Sequence, residues 1–188
     1  MNPRVALIAL AALAAIALLV WLLTAGEPQR AQQDVAALDE LPTPTPAPEQ
    51  RIVLLFVGAD GLLHPELRSV PLPEAVEQRI RVVMHELLAG PGPSSRLAPV
   101  VPYEASLEAV FVDEEGNAYV DLTAPPEPLE GSNIEIMLAY GVVDSIILNC
   151  PEVSAVQVLF GGREVATLTG HLDLSKPLAL NKRFIAQS

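Results

Sequence analysis

Two histidine-bearing pairs have the residue types and spacing from which chemistry could be built. His171 and Asp173 stand two residues apart in Gly170-His171-Leu172-Asp173-Leu174-Ser175-Lys176-Pro177. In an extended segment that spacing puts both side chains on one face. They could then form half a metal site, or an imidazole oriented by a carboxylate. The alternative is structural, with both side chains bonding loop backbone and fixing the segment. The chain has 3 histidines and no further ligand lies close in sequence, so the structural role is favoured and no metal is expected. His85-Glu86 opens the pattern of a helical zinc protease, but the residue four after His85 is Ala89, so the second imidazole is missing. His85 is then a surface residue of a helix. Asp121, between Val120 and Leu122, faces opposite to both in a strand. It either bonds backbone in the 123–128 loop or ligates something, and the backbone role is favoured. Cys150 is the single cysteine, which excludes an intrachain disulfide. It continues an apolar helical stripe and reads as a buried thiol, with intermolecular pairing as the alternative. The chain contains no G-x-S-x-G, no P-loop and no dinucleotide fingerprint. The expectation is a protein that is not an enzyme and carries no cofactor.

The elements that must position these residues follow from periodicity. Residues 52–57 are a continuous apolar run, as in a strand buried on both faces, and Ala59-Asp60-Gly61 turns the chain. Residues 62–70 hold one or two short strands interrupted at Pro65. Val76, Ile80, Val83, Met84, Leu87 and Leu88 recur at helical spacing, with Pro73 before them and Gly90-Pro91 after. Residues 91–106 are proline-rich loop. Residues 107–112 and 118–122 flank a turn-forming run, which predicts a hairpin. Ser132 and Glu135 form a capping box before a second helix whose stripe is Ile136, Tyr140, Val143, Ile147 and Cys150. Val156, Val158 and Phe160 alternate as in a strand, Gly161-Gly162 makes a two-residue turn, and residues 164–168 read as the return strand. The predicted fold is α+β, an open mixed or antiparallel sheet with two amphipathic helices packed on one face. The polar arm after the return strand offers His171, Asp173, Ser175 and Lys176 as candidate partner contacts, because exposed ordered loops carry function.

Ahead of this lies a different composition. Residues 5–23, including Val5, Leu10, Ile16, Leu19, Trp21 and Leu23, are apolar and uncharged. As a helix they span roughly 28 Å, enough to cross the hydrocarbon core. Arg4 precedes the run and Glu27 follows it, so the expected topology is a single-pass signal anchor with the N-terminus in the cytoplasm. A cleaved signal peptide is the rival, with a shorter apolar region than this one. No cysteine follows the run, which excludes a lipid-modified cysteine there. The domain plan is therefore 1–4 cytoplasmic, 5–23 transmembrane, 24–50 a proline-rich extracytoplasmic linker, 51–178 the globular domain, and 179–188 a C-terminal tail. Pro42-Thr43-Pro44-Thr45-Pro46-Ala47-Pro48 makes the linker a semi-rigid polyproline II spacer. A formal net charge of -12 excludes a nucleic-acid role, since phosphate neutralisation needs clustered Lys and Arg.

Several short runs together resemble the GerMN domain. They are Leu87-Leu88-Ala89-Gly90-Pro91, Val101-Pro102, Tyr119-Val120-Asp121-Leu122, Glu135, Val156-Gln157-Val158-Leu159-Phe160-Gly161-Gly162, and Thr167-Leu168-Thr169-Gly170-His171-Leu172-Asp173-Leu174. The resemblance covers residues 52–178. It implies a non-catalytic domain, similar in architecture to ring-building modules of envelope machines, in a bacterial envelope protein linked to sporulation or germination. The implied partners are an envelope protein or peptidoglycan, besides the lipid bilayer at the anchor. The alternatives are an accessory or activator of a cell-wall hydrolase, and self-assembly through a sheet edge.

Overall fold

The computed structural model describes Leu18, Leu19, Trp21, residues 48–125, Leu129 and residues 132–187. The chain divides into two units, Met1–Thr45 and Pro46–Ser188. In the first, Leu18, Leu19 and Trp21 are helical and exposed. The rest of the expected span, including Val5, Leu10, Ile16 and Leu23, lies outside the described residues, as does most of the linker. Among the described residues no helix is long and apolar enough to cross a membrane.

In the second unit, β1 (Glu49–Val57) and β2 (Leu63–Pro71) form an antiparallel hairpin. Helix α1 (Val76–Leu88) follows, then the hairpin β3 (Leu107–Val112) and β4 (Asn117–Leu122). Helix α2 (Ser132–Asn149) leads to β5 (Ala155–Phe160), which lies parallel to β4. The fold is α+β as expected, with a correction. The strands form two sheets, β1-β2 and β3-β4-β5, in place of one open sheet.

The reason lies in how the outer edge of β1 is closed. Every second residue of β1 turns its backbone away from β2, and helix side chains meet these groups. Leu55 N donates to Ser145 Oγ (3.0 Å), Val53 N donates to Asn149 Oδ1 (2.9 Å), and Asn149 Nδ2 donates to Val53 O (2.7 Å). Further along, Val57 and Ala98 exchange backbone hydrogen bonds of 2.9 and 2.7 Å. A third strand therefore has no edge to join. Pro65 does not interrupt β2 either. It pairs with Leu55, whose own N–H points to α2, so the missing proline donor falls on the outer side of the hairpin. Pro71 stands in the same outward series, and together they blunt an edge that could otherwise recruit another strand.

The two helices differ in kind. α1 is amphipathic and buries Ile80, Val83, Met84 and Leu87 on one face. Arg68 of β2 closes its C-terminus. Nη1 donates to Glu86 O (2.9 Å) and Nη2 to Gly90 O (2.5 Å), while the guanidinium pairs with the Glu66 and Glu86 carboxylates. This places a cation on the negative end of the helix and occupies carbonyls that have no partner within it. α2 is not amphipathic as expected. Every residue from 137 to 146 is buried, because the helix packs against both sheets and α1. Gly141 lets the loop between α1 and β3 close on the helix as well, since a Cβ there would lie 2.4 Å from Val100 Cγ1.

The expected return strand over 164–168 is absent. Gly161 (φ 60°) and Gly162 (φ 74°) make the turn, and Phe160 N donates to Arg163 O (3.0 Å), but the chain then leaves the sheet. What draws it away is a carboxylate on α2.

Candidate functional site

Glu135, in the first turn of α2, does not fold back as a capping-box residue. Its fully buried carboxylate reaches across to the segment after the Gly161-Gly162 turn. Oε1 accepts from Thr167 Oγ1 (2.5 Å), Leu168 N (2.5 Å) and Thr169 N (3.2 Å). Oε2 accepts from Thr169 Oγ1 (2.9 Å), His171 N (2.8 Å) and Leu172 N (3.1 Å). Four backbone amides and two hydroxyls thus converge on one anion, a nest closed around a side chain. Burial alone would push this carboxyl up. The hydrogen bonds from Thr167, Leu168, His171 and Thr169 outweigh it and hold the pKa at about 2, so the group is ionised at neutral pH.

Further bonds turn residues 163–178 into a closed surface loop of the Ω type. Leu174 N donates to Ala166 O (2.9 Å), and buried Gln157 of β5 donates from Nε2 to Leu174 O (2.6 Å). Leu174 itself is buried, while Leu168 and Leu172 pack against the core. At the far end Leu178 and Val156 exchange backbone hydrogen bonds of 2.9 and 2.8 Å, a single bridge on the edge of β5. At the near end Asp121 Oδ1 accepts from Gly162 N (2.9 Å). Asp121 therefore has the backbone role favoured from its sequence position, though its partner is the Gly-Gly turn and not the 123–128 loop.

The four candidate contact residues all lie on the exposed side of this loop. His171 and Asp173 do not act on one another. Thr169 Oγ1 gives its single proton to Glu135, so toward His171 it can only accept. His171 Nδ1 is therefore the donor in their 3.0 Å contact, and a neutral ring keeps Nε2 as its acceptor. Asp173 Oδ1 accepts from Ser175 N (3.0 Å) and Ser175 Oγ (2.5 Å), which holds its carboxyl below the usual carboxylate range with Lys176 adding a smaller pull. Lys176, the residue after Ser175, is exposed.

The remaining candidates are dispersed. His85 is on the surface of α1, with its side chain 80% exposed. Cys150 is buried just past α2, and burial pushes its thiol up to about 11, which suppresses the reactive thiolate. Among the described residues no group of three or more His, Cys, Asp or Glu side chains gathers as a metal site. What the arrangement does chemically is hold a polar loop in one shape.

Glu135 was placed by sequence, but its partner was not. The signal that could have found it is Thr167-Leu168-Thr169-Gly170-His171, hydroxyls and amides around a glycine at φ 89°. Such a run offers donors to an anion. The anion it serves lies 32 to 37 residues earlier in the chain.

A family model described as Germane, sporulation and spore germination, matches residues 53–166. The match runs from β1 to the start of the loop and stops before Thr167, short of the 52–178 over which the resemblance was read. Among solved structures, the tandem GerMN domains of the sporulation protein GerM from Bacillus subtilis align with a TM-score of 0.51 at 14% identity. That alignment covers 72% of this chain and 47% of the tandem chain, and it supports the fold. The first GerMN domain of the same protein aligns with a TM-score of 0.44 at 15% identity, over 70% of this chain and 98% of that one. No curated protein matches the sequence.

Proposed function

We propose, from the premise that this chain belongs to the Germane family of sporulation and spore germination, that it is a non-catalytic binding module of the bacterial cell envelope. In this reading the loop over 163–178 is the surface that meets the partner. The support for it is the way the loop is held. Six hydrogen bonds to Glu135 order a polar segment while His171, Asp173, Ser175 and Lys176 stay exposed. A loop fixed before binding loses little entropy when it binds, so its polar groups contribute to affinity and not to ordering. The carboxylate and imidazole are each engaged within the loop, which leaves no nucleophile–base pair aimed at a substrate.

The module is tethered by the apolar run over 5–23, with the N-terminus in the cytoplasm and the domain outside. The support is the length of that run and the position of Arg4, and the proline-rich segment then acts as a spacer. The partner is an envelope protein or peptidoglycan.

Crosslinking in intact cells tests this directly. A photoreactive residue in place of Lys176 is expected to capture one discrete partner, or wall material, that the same probe in place of Gln78 on α1 does not. Equal capture from both positions would remove the loop as the contact surface. A purified chain that hydrolysed wall polymer, and lost this on His171→Ala, would overturn the non-catalytic reading.

A further inference from the structure

The last described residues form a second device, separate from the loop above. After bridging to Val156 at Leu178, the chain crosses α2 and ends on the other sheet. Asn181 N donates to Asp144 Oδ1 (3.0 Å), and Asn181 Oδ1 caps the short 3-10 turn Lys182–Phe184 by accepting from Arg183 N (3.2 Å). The Phe184 ring stacks on Tyr140 with centroids 4.9 Å apart. Ala186 N donates to Leu63 O (2.8 Å) at the start of β2. Residues 178–186 are thus a strap from β5 over α2 to β2, joining the two sheets.

Beneath it Tyr140, Asp144 and Leu148 stand on successive turns of one face of α2. Leu148 lines a groove with Lys182 and Ile185, so all three positions face the strap. Asp144 is the anomaly. It is fully buried, Oδ1 has the one amide of Asn181, and Oδ2 has no hydrogen-bond partner. An ionised carboxylate so placed would have one oxygen stripped of water and unpaired, a costly state. A protonated one would be neutral and still accept from Asn181.

No charged group acts on Asp144 from the elements packed around α2. On α1, Arg79 pairs with Glu152 and Glu86 with Arg68 and His85, while Arg81 is exposed and Glu77 half-buried. On α2 the nearest ionisable groups are Tyr140 and Glu135, and the latter is committed to the loop. The strap carries Lys182 and Arg183, both exposed. On β2, His64 pairs with Asp60, while Glu66 and Arg68 pair with each other and Arg68 with Glu86. β1 carries Glu49 and Arg51, both exposed, and β5 has no ionisable residue.

We propose that the strap is a pH-sensitive clamp, closed over α2 while Asp144 is neutral and loosened when Asp144 ionises and draws water to Oδ2. Burial pushes this carboxyl up to about 6, with the Asn181 amide pulling slightly the other way. The sign follows from linkage. A raised carboxyl favours the closed form fully below 3.8, its unperturbed value, and that contribution is lost as pH rises through about 6. The clamp therefore tightens in mild acid and slackens at neutral pH.

Tryptic cleavage at Lys182 and Arg183 in the full chain, followed by mass spectrometry, reads the strap's opening. Asp144→Asn keeps an oxygen for Asn181 but cannot ionise, and it corrects for the protease's own pH dependence. Cleavage of the wild type relative to Asp144→Asn is expected to be about tenfold greater at about pH 8 than at about pH 5, because the closed form's advantage is lost progressively between 3.8 and about 6. A ratio unchanged between the two would overturn the proposal. A second readout needs no variant. In the wild type, exchange protection at the Asn181 and Ala186 amides should fall together as pH rises above 3.8 and level off above about 6, the window set by Asp144. Protection that stays flat across that range would equally overturn it.

Discussion

At the scale of single residues, the fold depends most sharply on Glu135. Its carboxylate accepts six hydrogen bonds and is fully buried, so its environment is built for an anion and for nothing else. Glu135→Gln keeps the shape but turns one acceptor oxygen into a donor facing donors. The expected result is a loss of about 2 kcal/mol or more, since charge-assisted hydrogen bonds are the strong ones and unmet buried groups are costly. Urea unfolding of both proteins at neutral pH measures it. A loss below about 0.5 kcal/mol would mean that the loop is held by Leu168, Leu172 and Leu174 packing instead.

Among elements, α2 has two tasks, core helix and surrogate strand. Ser145 and Asn149, one turn apart, complete the backbone pairing of Val53 and Leu55 in β1. Replacing Ser145 by Ala leaves the Leu55 amide buried without an acceptor. Replacing Asn149 by Ala strands both the N–H and the C=O of Val53. The expected losses are about 1–3 kcal/mol for the first and more for the second, with faster exchange of the Leu55 amide in the first variant and of the Val53 amide in the second. Equal stability of both variants with the wild type would show that water replaces the side chains, and that the β1 edge is more open than the contacts imply.

On the scale of the whole molecule, α2 supplies two buried carboxylates that fasten the C-terminal quarter, and their pH dependences oppose. The Glu135 contribution is present above 4.5, the unperturbed value, and is lost as pH falls toward about 2. The Asp144 contribution is complete below 3.8 and is lost as pH rises through about 6. Stability should therefore peak in acid where the two windows meet, between 3.8 and 4.5, falling toward about 2 on one side and toward about 6 on the other. Chemical-denaturation midpoints across this range check it. The acid-side decline should vanish in Glu135→Gln and the neutral-side decline in Asp144→Asn. A profile that rises steadily to neutral pH in the wild type would refute the second half. The loop on Glu135 and the strap on Asp144 are thus both set on carboxylates of α2, so the helix sets the shape of this surface.

Much of the chain's plan was legible without its fold, because it rests on local periodicity and turn chemistry. The apolar run of β1, the one-faced stripe of α1, the β3-β4 hairpin and the alternation in β5 follow from side-chain period and from where Gly and Pro must fall. The family resemblance rested on the same local runs. Glu135 shows the limit. Its position after Ser132 satisfies a capping box, and only the tertiary fold brought six donors from a distant loop to outcompete that local bond. The return strand over 164–168 was lost to the same competition. The split into two sheets was equally invisible, since it depends on Ser145 and Asn149 meeting an edge 90 and 96 residues earlier in the chain. Asp144 gave no signal at all, because a lone aspartate in an apolar helix looks exposed until a strap closes over it. Sequence by itself determined both helices and the strands of the two hairpins and β5, since those preferences act between near neighbours. Tertiary structure decided which polar groups are paired, buried or presented, since desolvation and hydrogen bonding depend on what the fold brings together from far along the chain.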